Sequence, residues 1–101
     1  SYTGNGKYGA ANAVSIECGF YPLLVVVSSS SSSHYWAVRG FDKFYYNNNR
    51  ENEMTWGDTG VSWYYPQDDQ YYSPSGNQMN AIDTTYYYLV LGYSNDGEQG
   101  N

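Results

Sequence analysis

No window of about eleven residues in this 101-residue chain places apolar side chains at i, i+3, i+4 and i+7, the spacing that one helix face needs. Apolar residues recur instead at every second position, and Gly, Asn and Ser punctuate the whole sequence. This period restricts the chain to strands joined by turns, with no helix.

The strands read off in order. Gly4-Asn5-Gly6 near the start marks a short hairpin or a sharp corner, since Asn-Gly favours a tight type I′ turn. Val14, Ile16, Cys18 and Phe20 alternate with polar residues, the pattern of a half-buried strand, and Cys18 reads there as a small buried hydrophobe. Tyr21-Pro22 is expected to break that strand, because Pro22 has no N–H for a ladder. Residues 23–27 then resume as a strand. Six serines at 28–33 form a loop into a second strand at 35–41, and residues 42–53 a long polar surface loop. Gly57-Asp58-Thr59-Gly60 joins residues 54–56 to 61–65 as a hairpin. A polar, tyrosine-rich loop follows over 66–77, and residues 84–93 make the last strand. The reading is all-β: a six-stranded antiparallel sandwich over residues 1–93, with residues 94–101 as a polar tail.

Two of these strands set a further condition. Residues 23–27 and 86–91 are apolar on both faces, whereas an antiparallel sheet with one wet face should alternate. A two-layer domain has no third layer to cover them, so a neighbouring copy is expected to do so, in a closed homo-oligomer. The expectation rests on Val25, Val27 and residues 89–91; the plainer alternative lets the tyrosines at 86–88 lie at the surface.

Charge excludes several partners. Four Lys and Arg against ten Asp and Glu leave a formal charge of -6, which gives nucleic acid or an anionic membrane nothing to bind. The longest apolar run is residues 23–27, against the roughly 20 residues of a membrane-spanning helix, so no membrane insertion is expected. The sequence shows neither an initiator Met nor a signal-peptide pattern and reads as a fragment or a processed product. The single cysteine forms no internal disulfide.

Reactive motifs are sparse. Gly4-Asn5-Gly6-Lys7-Tyr8-Gly9 matches G-x-G-x-x-G in letters, but no strand of useful length precedes it and no helix is expected after it. His34 follows six serines, yet lacks the strand–nucleophile–helix elbow of acyl transfer. The acids, Asp68-Asp69 among them, fall mostly in polar loops with nothing to raise one carboxyl, and no calcium-loop spacing occurs. No catalytic residue, metal or cofactor is expected.

Binding is what remains. Fourteen tyrosines, with three Trp and three Phe, exceed what so small a core absorbs. Trp36, Trp56 and Trp63 lie in strand patterns and are assigned to the core. The loop tyrosines Tyr45, Tyr46, Tyr71 and Tyr72, with Arg39, Asn48 and Asp69, form the candidate contact set: flat rings beside amides and charges suit a sugar.

The succession Tyr2-Thr3-Gly4-Asn5-Gly6, residues 14–27 with Pro22, Tyr35-Trp36, residues 55–64, Gln78-Met79-Asn80 and Thr84-Thr85-Tyr86-Tyr87-Tyr88-Leu89-Val90-Leu91-Gly92 resembles the C-terminal domains of phage and prophage tail-fibre proteins. That resemblance covers residues 2–93 and departs at the serine run and at residues 67–73. It implies an H-type lectin-like sandwich assembled as a homotrimer at a fibre tip of the virion. It also implies a bacterial surface glycan or protein as receptor, met outside the cell. A purely structural trimerisation cap, a stand-alone carbohydrate-binding module and a fibre-borne depolymerase are the alternatives.

Overall fold

The computed structural model describes residues 1–30, 34–40, 43–45, 51–66 and 74–94, with 43–45 and 51 described by backbone alone. The fold is all-β and antiparallel, with eight described strands rather than six: β1 (Tyr2–Thr3), β2 (Val14–Glu17), β3 (Tyr21–Ser29), β4 (His34–Val38), β5 (Lys43–Tyr45), β6 (Glu51–Trp56), β7 (Gly60–Tyr64) and β8 (Thr85–Tyr93). The added strands are β1, two residues long, and β5, which lies inside the segment 42–53 expected to be loop.

The hydrogen-bonded order is β1-β8-β3-β4-β5-β6-β7-β2. Between β4 and β5, among the described residues, a single registered pair joins the ladder, Trp36 with Tyr45. The sheet turns there, so β1-β8-β3-β4 forms a first sheet and β6-β7-β2 a second, with β5 as the connector. The two enclose one core. Val25 and Val27 of β3, Tyr35 and Ala37 of β4 and Tyr86 of β8 meet Val14 and Ile16 of β2, Met54 of β6, and Val61 and Trp63 of β7.

Local chemistry explains where the elements differ from expectation. β2 ends at Glu17, and Cys18 lies in the connection, half-buried, with its Sγ 3.2 Å from the carbonyl of Phe20 and 3.3 Å from that of Thr59. Gly19 takes a φ of 82°, and this left-handed residue rather than Pro22 ends the strand. Pro22 is inside β3, at a register shift where Pro22 pairs with Gly92 and Leu24 with Leu91. The inserted Leu23 is a bulge, which tolerates a residue without an N–H. Gly92 is required opposite it, since a Cβ there would sit 1.9 Å from the Tyr21 carbonyl oxygen.

The serine run is partly strand. β3 continues through Ser29, and Ser28 pairs with His34 in the antiparallel β3–β4 ladder; residues 31–33 lie outside the described residues. The β6–β7 hairpin forms as expected, with the Gly57 N–H donating to the Gly60 carbonyl at 2.8 Å. Gly4-Asn5-Gly6 makes the corner and not the hairpin: Gly6 has a φ of 80°, Asn5 keeps a negative φ, and β1 pairs with β8. Two short helical pieces replace the expected absence of helix. One is a 3-10 turn at Ala10–Asn12 and the other a single turn, α1 (Pro74–Asn77). Neither could open a dinucleotide fold after Gly9.

The segment after α1 is a buried polar hub. Gln78, fully buried, accepts at Oε1 from the N–H groups of Gly9 and Tyr65 (2.8 Å each) and donates from Nε2 to the Asn12 carbonyl (2.8 Å). Its own carbonyl takes the Trp63 Nε1–H at 2.8 Å, and the Met79 carbonyl takes the Tyr2 hydroxyl at 2.9 Å. Asn80 holds the corner through Asn5 and the Lys7 carbonyl. Met79, also fully buried, pays for this placement with a φ of 60°.

Candidate interaction face

The phase set by the bulge determines which side chains of the first sheet point away from the core. Opposed residues of an antiparallel ladder share a face. Val25, Val27 and Tyr86 are inside, so Leu24, Val26 and Ser28 of β3 and Tyr87, Leu89 and Leu91 of β8 are outside. On β4 the outside residues are His34, Trp36 and Val38. Three rows cross the sheet: Leu91–Leu24–Val38, Leu89–Val26–Trp36 and Tyr87–Ser28–His34. The first two rows are wholly apolar.

Nothing in the chain's described residues covers this face. Trp36 is 55% exposed, Tyr87 57%, Leu89 54% and Leu91 51%. Leu24, Val26 and Val38 are half-buried by their neighbours. Monomeric soluble proteins seldom leave such a contiguous apolar surface, and where they do it commonly marks an interaction site. Trp36 thus departs from its assignment to the core, while Trp63, 1% exposed, is central to it and Trp56 packs at its margin. The residues carrying the outer face are likewise not Val25 and Val27, which are buried, but Leu24 and Val26. The inserted Leu23 shifts the strand by one.

The borders of the face are polar or aromatic. At one end His34 Nδ1 lies 2.8 Å from the Ser28 hydroxyl. At the other, Tyr21 and Tyr93 stack at 5.3 Å. Arg39 lies over the Tyr21 ring at 3.9 Å and donates from Nε to the Pro22 carbonyl at 2.8 Å and from Nη2 to the Gly57 carbonyl. Its guanidinium also approaches Trp56 at 5.5 Å. Arg39 is therefore a clasp between the bulge of β3 and the β6–β7 hairpin, with much of its donor capacity already used within the fold.

The other predicted contact residues are not gathered at this face by described side chains. Tyr45 stands in β5 at the register position opposite Trp36. Tyr46, Asn48, Asp69, Tyr71 and Tyr72 lie outside the described residues, as does Asp68. A shallow, open recess of about 270 Å³ does exist on the second sheet, lined by Glu17, Asp58, Ser15, Thr55, Thr59 and Ser62 among others. Its two acids stand in an open, solvated depression, without the enclosing apolar wall that a general acid requires. Among the described residues no three His, Cys, Asp or Glu side chains come together to hold a metal, and no helix is long and apolar enough to cross a membrane.

Among the described residues the hydroxyls of Tyr2 and Tyr86 are electrostatically perturbed, and both belong to the first sheet's inner side. Burial, with smaller contributions from neighbouring tyrosines, raises the Tyr2 hydroxyl far above its ordinary value. Burial also raises that of Tyr86, partly opposed by the hydrogen bond it accepts from the Ala81 N–H at 3.0 Å. Stacked at 5.0 Å, these rings fasten β1 to β8. They are structural groups.

Sequence reasoning missed the three-row arrangement and the Gln78 hub. The doubly apolar strands signalled the face; no local pattern signalled that a glutamine would be buried. No family model matches this chain, and no curated protein and no solved structure matches it significantly.

Proposed function

We propose that this chain is a non-enzymatic interaction domain that assembles with copies of itself through the outer face of its first sheet. The uncovered rows Leu91–Leu24–Val38 and Leu89–Val26–Trp36 carry this reading. Their chemistry selects the partner. Leu and Val side chains offer nothing to sugar hydroxyls, whereas aliphatic rows beside Trp are what a protein interface core contains. A chain of charge -6 would ordinarily repel its copy. The described acids Glu17, Glu53, Asp58 and Asp83 lie off this face, so none of them would oppose a like charge where two copies meet there.

In this reading the assembly presents tyrosines, Tyr45 of β5 with Tyr46, Tyr71 and Tyr72 foremost, to a bacterial surface glycan or protein. Such a domain would sit at the tip of a phage tail fibre and act outside the cell. The resemblance of residues 2–93 to fibre tips supports that part, and it alone supports a count of three chains and the H-type lectin-like likeness. A pure assembly cap is the second reading. It is favoured by the placement of Trp36, Tyr87 and Tyr93 on strands rather than in loops. Light scattering over a range of concentrations tests the proposal. A stable multiple of the 11.4 kDa chain, reduced by Trp36→Glu, supports it; a monomer throughout refutes it and leaves a single-chain binding module.

A further inference from the structure

The edge of β8 is a separate feature from the face. Thr84 accepts the Gly4 N–H at 2.8 Å and Thr85 accepts the Ser30 N–H at 2.9 Å. This fixes the alternation along β8: even-numbered residues address β1 and odd-numbered residues address β3. β1 is spent after two pairs, Thr3 with Thr85 and Tyr2 with Tyr86. Beyond Tyr86, the N–H and C=O groups of Tyr88, Val90 and Gly92 face a side where no described strand pairs.

Proteins blunt exposed strand edges with charge, proline or brevity. The opposite edge of the fold obeys: β2 has four residues and carries Glu17. The free part of β8, Tyr87-Tyr88-Leu89-Val90-Leu91-Gly92-Tyr93, has no charge and no proline. It is instead nearly symmetric about Val90. Run antiparallel to itself with Val90 on a two-fold axis, it sets Leu89 against Leu91 and Tyr87 against Tyr93 on the outer face. It sets Tyr88 against Gly92 on the other. This centring is also the one in which all three residues whose backbone groups face the free edge find a partner, since Tyr88 pairs with Gly92 and Val90 with itself. The one unequal pair has space: an open recess of about 400 Å³ is lined by Gly92, Val90, Phe20 and Tyr93, among others, and a ring opposite Gly92 would lie beside it.

We infer that the free edge of β8 pairs antiparallel with the same edge of a second copy, centred on Val90, so that the first sheets of two chains become one continuous sheet. The pairing uses the edge and not the face, so it stands whether or not the outer face gathers further copies. It also joins two outer faces into one of twice the width.

The register is tested by disulfide mapping in the 101-residue chain carrying Cys18→Ser, to which Leu89→Cys or Leu91→Cys is added. Both leucines are about half exposed, so the fold tolerates the exchange. Directly opposed residues of this kind lie within disulfide reach, and residues one diagonal away do not. A linked dimer should therefore form when the two variants are mixed and oxidised mildly, and be lost when either is oxidised alone. Self-linking of Leu89→Cys equal to that of the mixture overturns the edge register and points to face-to-face stacking. No linking in any sample, with the parent chain at three times the monomer mass, overturns the edge and leaves the face. No linking with a monomeric parent overturns both. Mixed linking in a two-chain parent supports the edge while the face fails, and mixed linking in a six-chain parent supports both.

Discussion

The two sheets of this domain share one core but differ on their outer sides. On the second sheet the outward residues are Glu53, Thr55, Ser62, Ser15 and Glu17, with Tyr64 at one end, and the strands alternate as half-buried strands should. On the first sheet the corresponding rows are Leu, Val and Trp. The same chain therefore supplies its own control. On the second sheet the alternation is strict, and on the first it fails and leaves an apolar face that no described residue covers. The means of attachment differ too. The first sheet is joined by ring stacking and aliphatic packing, whereas the second leans on the hydrogen bonds of a buried glutamine.

The largest expected effect tests that second contrast. Gln78→Ala leaves the N–H groups of Gly9 and Tyr65 and the Asn12 carbonyl without their partner, at about 3 to 5 kcal/mol, since each buried unmet group costs about 1 to 3. Urea unfolding measures it, and a loss below about 1 kcal/mol would show that the hub is dispensable. Next in size is a matched pair on the two outer faces. Val26→Lys should lower the native mass by removing the contacts between outer faces, while Ser62→Lys leaves it unchanged. Equal behaviour of the two variants would erase the distinction between the faces.

Alkaline titration sharpens the comparison from the first sheet's side. Tyr2 and Tyr86 ionise less readily folded than unfolded, where the ordinary value is 10.0. Raised folded values mean that their stabilisation is complete below about pH 10 and is lost as pH climbs beyond it. Unfolding free energy should fall steeply above that pH, and less steeply in Tyr2→Phe. The smallest effect has the opposite sign. The buried Tyr65 hydroxyl finds no hydrogen-bond partner among the described residues, so Tyr65→Phe should keep or raise stability, by up to about 1 kcal/mol in thermal unfolding.

How much of this was legible in the sequence depends on how far each feature is decided locally. The period of two at Val14 and Ile16, and the hairpin around residues 57–60, are local, and both appear where expected. The doubly apolar strands announced an outer face, but its residues could not be assigned. One inserted residue, Leu23, exchanges the faces, and its bulge depends on Gly92, about seventy positions away. The strand pattern around Trp36 points to the core, but such a pattern does not report which side of a sheet a residue takes. Gln78 is buried because four distant groups converge on it. Five of the seven proposed contact residues stand outside the described residues, and Arg39 is engaged within the fold.

The link between β1 and the final segment bears on time as well as on shape. Tyr2 meets Met79, and Asn5 meets Asn80, across 77 and 75 residues of chain. Contacts of such sequence separation form slowly, because a long loop must close before it is rewarded. On a ribosome the first strand must therefore wait for the last: residues 2–8 have no place to dock until residues 78–86 have emerged. Any truncation before Tyr86 would leave residues 2–8, and not merely the last strand, without a place to fold.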